Sequence, residues 1–259
     1  MTNYRIQDII ILMDESGSMN SMGDEPLQTV NEFITDQKRV NQNDGSTLSF
    51  WKFNTEVTKV LDNVPLSQVG LITDYQPSGL TALNDSIGMA VTAKFLSHKK
   101  DDVICMIISD GMENASCEYT TEHVKNIIED LESKHRWKFI YLGTSRDIFT
   151  ARDMGLERCL SYNPTMIGNL RDVSRAVSDN VANYRSLTAT TLDPVTLTFD
   201  NLTLDQHQSE PITSFPNTTP LPIPVLRRST NVTPAFLPPT PDLEPNTPEM
   251  IDLPAFELR

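Results

Sequence analysis

Short apolar segments alternate along residues 1–188 with segments of helical periodicity, and this alternation constrains the fold more than any other feature. The strand-like segments are Ile6–Met13, Leu48–Phe53, Val57–Leu61, Val103–Ile108, Trp137–Leu142 and Arg158–Tyr162. Helical spacing predicts a helix that begins at Asp24-Glu25-Pro26 and others over Leu83–Phe95, Thr121–Leu131, Asp147–Met154 and Met166–Tyr184. We therefore expect an α/β domain with a doubly wound, mostly parallel sheet and helices on both faces.

The composition of the chain changes near residue 190. Thirteen of the 17 prolines lie from Pro194 onward, in runs such as Pro220-Leu221-Pro222-Ile223-Pro224. Proline fixes φ and has no amide donor, so such runs do not form central strands or helices. We expect residues 1–188 to form the domain and residues 189–259 to form an acidic, extended, Pro-rich tail that docks on a partner surface.

Polar side chains follow two of the predicted buried strands and precede one helix. The first strand leads into Asp14-Glu15-Ser16-Gly17-Ser18, and the strand Val103–Ile108 leads into Ser109-Asp110-Gly111. Thr81 lies in Gly79-Leu80-Thr81, just before a predicted helix. In doubly wound sheets, ligands bind beyond the carboxyl ends of the strands. These oxygen donors predict a site for a hard cation, Mg²⁺ or else Mn²⁺ or Ca²⁺.

This pattern resembles the metal-ion-dependent adhesion site of the von Willebrand factor A (vWA) family. The segments Ser109–Ser116 and Phe139–Thr144 also look like those of intracellular and microbial members. The resemblance covers about residues 5–187 and does not include the tail. It implies a vWA fold and a metal-dependent binding module, and the family also occurs in large DNA viruses.

The resemblance implies a role for each site residue. Ser16 and Ser18 would coordinate the metal through their hydroxyls, and Thr81 would join them in a ligand-engaged state. Asp14 and Asp110 would contact the ion directly or hold its waters. Direct ligands that are neutral leave the cation under-neutralised, so an Asp or Glu of a partner protein would complete the site.

Other interpretations of the same residues remain open. Asp and Ser are frequent in turns and helix caps, although five such residues in register favour a metal site. Glu15 and Glu113 flank the pattern, and we expect them to be solvated neighbours that set its negative potential. The four histidines form no recognisable nucleophile motif, so we expect no enzyme, with a metal-dependent hydrolase as the minor alternative.

The net charge of −14 argues against nucleic acid and anionic membrane as partners, because both need clustered basic residues. The three cysteines show no redox or zinc spacing, and the chain begins without a secretory pattern, which favours an intracellular setting. The main hypothesis is a protein-binding module within a multiprotein assembly. The alternative is a structural component of a large assembly, such as a viral capsid, that is held by its tail and has a vestigial metal site.

Overall fold

The computed structural model describes residues 7–40, 45–98 and 102–186. The strands are β1 Asp8–Asp14, β2 Thr47–Phe53, β3 Val57–Pro65, β4 Asp102–Ile108, β5 Arg136–Thr144 and β6 Cys159–Tyr162. The α-helices are α1 Glu25–Arg39, α2 Leu83–His98, α3 Thr121–Lys134, α4 Asp147–Asp153 and α5 Asn169–Ser186. Two short 3₁₀ helices, Gly17–Met22 and Leu66–Gln68, follow β1 and β3. The tail predicted for residues 189–259 lies outside the described residues.

The six strands form one sheet in the order β3-β2-β1-β4-β5-β6. β1 pairs in parallel with β2 and β4, and β4–β5 and β5–β6 are parallel as well. Only β2 and β3 are antiparallel, as the predicted hairpin requires. The expectation of a mostly parallel α/β sheet is confirmed.

Two apolar layers cover the sheet, one on each face. Side chains of β1 alternate between them: Ile9 and Ile11 pack with α1 and α5, whereas Ile10 and Leu12 pack with α2 and α3. Because successive side chains of a strand point to opposite faces, a central strand covered on both faces must be apolar throughout. This explains why β1 has an uninterrupted apolar run rather than alternating polar residues.

Two local features differ from the sequence expectation, and both lie at the carboxyl edge of the sheet. The 3₁₀ helix that follows β1 is not predicted by periodicity, yet it buries Met19 and Met22 in the core. Helix α5 begins at Asn169, not Met166, because Gly168 has a φ of 85° and interrupts helical geometry. No helix within the described residues is long and apolar enough to cross a membrane.

Candidate metal centre

Three loops meet at the carboxyl edge of the sheet, and backbone hydrogen bonds hold them together. Gly17 N donates to Gly79 O at 3.1 Å, which joins the loop after β1 to the segment before α2. Asn114 N donates to Thr81 O at 3.0 Å, which joins that segment to the loop after β4. The structure therefore brings together the three loops that carry the predicted site residues.

The side-chain oxygens of these loops form a connected set. Ser16 Oγ lies 3.0 Å from Ser18 Oγ, and Ser18 Oγ donates to Asp110 Oδ1 at 2.6 Å. Asp14 Oδ1 accepts from Ser16 N at 2.7 Å. Asp14 and Ser16 are buried while Ser18 is exposed, so the set opens to solvent on the side of Ser18.

Thr81 joins this set through the space beside Gly111. A Cβ atom at Gly111 would lie 2.7 Å from Thr81 Oγ1 and 3.3 Å from Asp14 Oδ2. The threonine hydroxyl and the carboxylate thus approach the same point, which only a residue without a side chain leaves free. All five predicted site residues are therefore neighbours at one edge of the sheet.

Ser109 is a member of this cluster that sequence analysis did not identify as a site residue. Its hydroxyl donates to Asp14 Oδ2 at 2.5 Å, and it also accepts from Gly111 N at 3.2 Å. The local signal was a serine placed between a buried strand and Asp110. Nothing in the sequence relates it to Asp14, which is 95 residues away.

The negative charges of the two carboxylates of the site, Asp14 and Asp110, are poorly compensated by positive charge. Burial raises the pKa of Asp14 to about 6, although hydrogen bonds from Ser109 and Ser16 oppose the shift, and the charge of Asp110 raises it further. Burial also raises the pKa of Asp110, as does the nearby charge of Asp147. Within the described residues neither Asp14 nor Asp110 forms an ion pair with a basic side chain. Such a pair of buried charges favours a bound cation.

The expectation that Glu15 is a solvated neighbour of the site is wrong. Glu15 is 8% exposed, and its Oε1 accepts from Lys52 Nζ at 2.9 Å and from Gln76 N at 2.6 Å. Lys52 also contacts Asp74 Oδ2 at 2.8 Å. This ion pair compensates the charge of Glu15, so the negative potential of the site comes from Asp14 and Asp110.

Glu113 is also a structural residue, contrary to the expectation of a solvated neighbour. Its Oε2 accepts from Asn84 N at 2.7 Å, at the start of α2, and its Oε1 accepts from Ser116 N at 2.8 Å. Asp85, in the first turn of α2, binds the same loop by accepting hydrogen bonds from the backbone amides of residues 117–119 at 2.8–2.9 Å. We call these hydrogen bonds of Glu113 and Asp85 the brace. The brace fixes the segment that contains Thr81 against the loop that follows Asp110.

The residues present fit a hard divalent cation. No group of three or more His, Cys, Asp or Glu side chains within the described ranges is arranged to hold a metal, so the hydroxyls are essential to this donor set of two carboxylates and three alcohols. Oxygen donors of this kind suit Mg²⁺, Mn²⁺ or Ca²⁺. The hydroxyls of Tyr75 and Tyr162 are buried and have no hydrogen-bond partner among the described residues. Burial raises the pKa of both hydroxyls, and the charges of Asp14 and Asp110 raise it further.

Comparison with solved structures identifies the fold as that of a vWA domain. The von Willebrand factor domain of the pilus tip protein Mfa5 from Porphyromonas gingivalis is 10% identical, with a TM-score of 0.53 over 70% of this chain and 97% of that chain. A vWA protein from Catenulispora acidiphila is 12% identical, with a TM-score of 0.50 over 68% of this chain and 43% of that chain. No protein-family model matches the sequence, and no curated protein matches it significantly.

A further similar structure is proximal thread matrix protein 1 (PTMP1) from the mussel byssus, with a zinc-occupied adhesion-site (MIDAS) motif. It is 15% identical, with a TM-score of 0.50 over 73% of this chain. The match spans 48% of the PTMP1 chain, about half of its length. Identities this low establish a shared fold and leave the ligand of this chain to be argued from its own residues.

Proposed function

We propose that this chain is a divalent-metal-dependent protein-binding module. Asp14, Ser16, Ser18, Thr81 and Asp110 hold the cation, with Mg²⁺ as the expected ion and Mn²⁺ or Ca²⁺ as alternatives. An Asp or Glu side chain of a partner protein completes the coordination. The observation that supports this most is the connected oxygen set, in which two carboxylates have no basic partner among the described residues.

The chemistry of the donors favours binding over catalysis. Two carboxylates at most balance the charge of a divalent cation, and three hydroxyls add no charge, so the bound cation retains affinity for an anionic ligand. The cation supplies this positive charge, while the braced loops fix the donors. We assign no catalytic step to the site. Hydrolysis of p-nitrophenyl phosphate that requires Mg²⁺ and is lost in Asp14→Asn would instead support the hydrolase alternative.

The setting of the protein is part of the proposal. Cys105, Cys117 and Cys159 are all free thiols, which is compatible with a reducing, intracellular compartment. The structure of PTMP1 has zinc in its adhesion-site (MIDAS) motif, which supports a divalent cation at the corresponding edge here. If no cation binds, the remaining candidate is a structural component that enters its assembly through residues 189–259.

Metal binding is tested with Mn²⁺, whose electron paramagnetic resonance signal distinguishes free from bound ion. The full chain should bind one Mn²⁺ that Mg²⁺ displaces. Asp110→Asn should weaken this binding at least tenfold, because it removes one of the two charges of the site. Ser21→Ala is the matched control: Ser21 is exposed and lies just beyond the pattern, so its loss should change nothing. Equal binding by wild type and Asp110→Asn would overturn the proposed site.

Carboxylate binding is tested by nuclear magnetic resonance with the Mn²⁺-loaded chain. A short peptide that contains a single Asp in a Gly-Ser background should show broadening of its Asp β-protons, because a coordinated carboxylate lies next to the paramagnetic ion. The same peptide with Asn should show none. Equal broadening of the two peptides would contradict a carboxylate-binding site.

A further inference from the structure

Exposed large apolar side chains are concentrated at the edge of the sheet that carries the metal centre. Among the described residues seven such side chains are exposed, and five of them lie in segments at this edge. We call these five the apolar rim: Leu80, Met112, Phe149, Met166 and Ile167. Exposed apolar side chains that are concentrated around a binding site can add apolar contacts to a ligand held there.

Two members of the apolar rim adjoin the site residues directly. Leu80 precedes Thr81, and its amide donates to Thr55 Oγ1 at 3.0 Å, which fixes the backbone. Met112 lies two residues beyond Asp110, in the loop that the brace holds against α2. Both side chains are more than half exposed, at 51% and 56%. The opening of the metal centre is thus bordered by apolar surface.

The other members lie along the same edge, beyond β5 and β6. Phe149 is in the first turn of α4, which follows β5 at the carboxyl edge, and Asp147 of the same turn accepts from the hydroxyl of Thr144 at the end of β5. Ile167 lies in the turn before α5, and this turn is tied to the start of α1 by Gly168 N, which donates to Glu25 Oε2 at 3.1 Å. The members of the apolar rim thus lie in segments that precede α2 or follow β4, β5 and β6, all at the carboxyl edge that carries the metal centre.

The core does not require these side chains. Helix α5 packs through Leu170 and Val173, which follow the exposed turn, and α4 packs through Ala151. Phe149 is 71% exposed and Ile167 is fully exposed, so neither contributes appreciably to the interior. Their exposure is unfavourable in water, so a partner surface that covered them would gain free energy from their burial.

Resting on the proposed function, we propose that the apolar rim binds apolar side chains that flank the metal-bound carboxylate of the partner. The occupant is an extended protein segment with one Asp or Glu between large apolar residues. Charge complementarity places its carboxylate at the cation. Because the chain carries a net charge of −14, a run of acidic residues would be repelled, whereas a single carboxylate meets the cation with little repulsion. Apolar contacts supply the remaining affinity and the specificity.

The test uses two fluorescein-labelled peptides and the full chain in MgCl₂. One peptide has the central sequence Phe-Leu-Asp-Leu-Phe between Gly-Ser linkers, and the other has Ser-Ser-Asp-Ser-Ser. Fluorescence anisotropy should show at least tenfold tighter binding of the apolar peptide. Equal affinity of the two peptides would overturn the role of the apolar rim and leave the proposed function standing.

Variants of the chain locate the binding surface. Phe149→Ser and Ile167→Ser should reduce the affinity for the apolar peptide towards that for the serine peptide, with unchanged Mn²⁺ affinity. The matched control is Leu71→Ser: Leu71 is 75% exposed but lies two residues after Val69, whose carbonyl contacts Lys38 in the last turn of α1, away from the metal centre. An equal loss in Leu71→Ser would show nonspecific adhesion and overturn the inference.

The metal dependence separates this inference from the proposed function. Both peptides should lose binding in EDTA if the carboxylate is held by the cation. Binding of the apolar peptide that persists in EDTA and still requires Phe149 would show a docking surface without a metal bridge, and the inference as stated would be wrong. Absence of metal-dependent binding for both peptides would overturn the proposed function and, with it, the flanking contacts.

Discussion

Replacing Asp14 with Asn should stabilise the metal-free protein at neutral pH. Burial raises the pKa of Asp14 from 3.8 to about 6, so the folded state retains a proton on this group over a pH range in which the unfolded state has lost it. Stability from this group is fully present below the unfolded pKa and is lost as pH rises through about 6. The ionised carboxylate thus costs about 3 kcal/mol at neutral pH.

Asn avoids this cost and is close to Asp in shape. Its side-chain oxygen can still accept from Ser16 N, and its amide can donate to Ser109 Oγ, so the local hydrogen bonds survive. We expect the melting temperature of Asp14→Asn in EDTA at pH 7.5 to exceed that of wild type by roughly 5–10 °C for a domain of this size. The difference should shrink as pH falls through about 6 and vanish below about pH 3, where Asp14 is protonated in both states.

Bound metal should reverse the order of the two melting temperatures, so that wild type becomes more stable than Asp14→Asn. Mg²⁺ at about one hundred times its dissociation constant would stabilise the wild type by about 2.7 kcal/mol, whereas Asp14→Asn should gain almost nothing. Thermal unfolding followed by circular dichroism, in EDTA and in MgCl₂, measures both effects. Asp24→Asn is the control, since Asp24 is exposed and outside the site. A lower melting temperature for Asp14→Asn in EDTA, or an Mg²⁺ response equal to that of wild type, would refute the reasoning.

Three other predictions concern the surroundings of the metal centre, an ion pair at the opposite edge of the sheet, and the Pro-rich tail. Gly111→Ala places a Cβ 2.7 Å from the threonine hydroxyl of the site, so it should lower Mn²⁺ affinity at least tenfold by paramagnetic resonance; Gly70→Ala, with open space around it, should have no effect. Lys94→Met removes the ammonium group that lies 2.8 Å from the buried carboxylate of Asp8, and should cost about 3–5 kcal/mol in urea unfolding; a loss below about 1 kcal/mol would contradict this. Deletion of residues 195–259 should leave the melting temperature and Mn²⁺ binding unchanged, and a truncated chain that unfolds would show that the tail belongs to the core.

The fold and the convergence of the five candidate site residues at one edge could be predicted because the underlying signals are local. A central strand buried on both faces is apolar throughout, and the polar residue that ends it, such as Asp14, marks the carboxyl edge. Since carboxyl ends of parallel strands meet at that edge, Asp110 could be placed beside Asp14 although the two are far apart in sequence. Local patterns combined with one topological rule were sufficient.

The partners of charged residues were not predictable in the same way. Glu15 lies inside the metal motif, and only the register of β1 with β2, which pairs Met13 with Lys52, brings a buried lysine within reach of it. Met166 and Ile167 have the spacing of a helix start, yet a glycine with positive φ follows them and leaves them exposed in a turn. Tertiary pairing and backbone geometry decide these cases, and neither is visible as periodicity.

The brace between α2 and the loop that follows β4 has a consequence for protein engineering. Asp85 and Glu113 bind the backbone of each other's segment, and Asn114 binds the backbone of Thr81 in the same way. The conformation of each segment therefore depends in part on hydrogen bonds from the other. A transplant of this centre into another doubly wound scaffold would therefore have to move both segments as one unit together with the loop after β1, and copying the five oxygen-bearing residues alone would transfer the ligands without the geometry that aligns them.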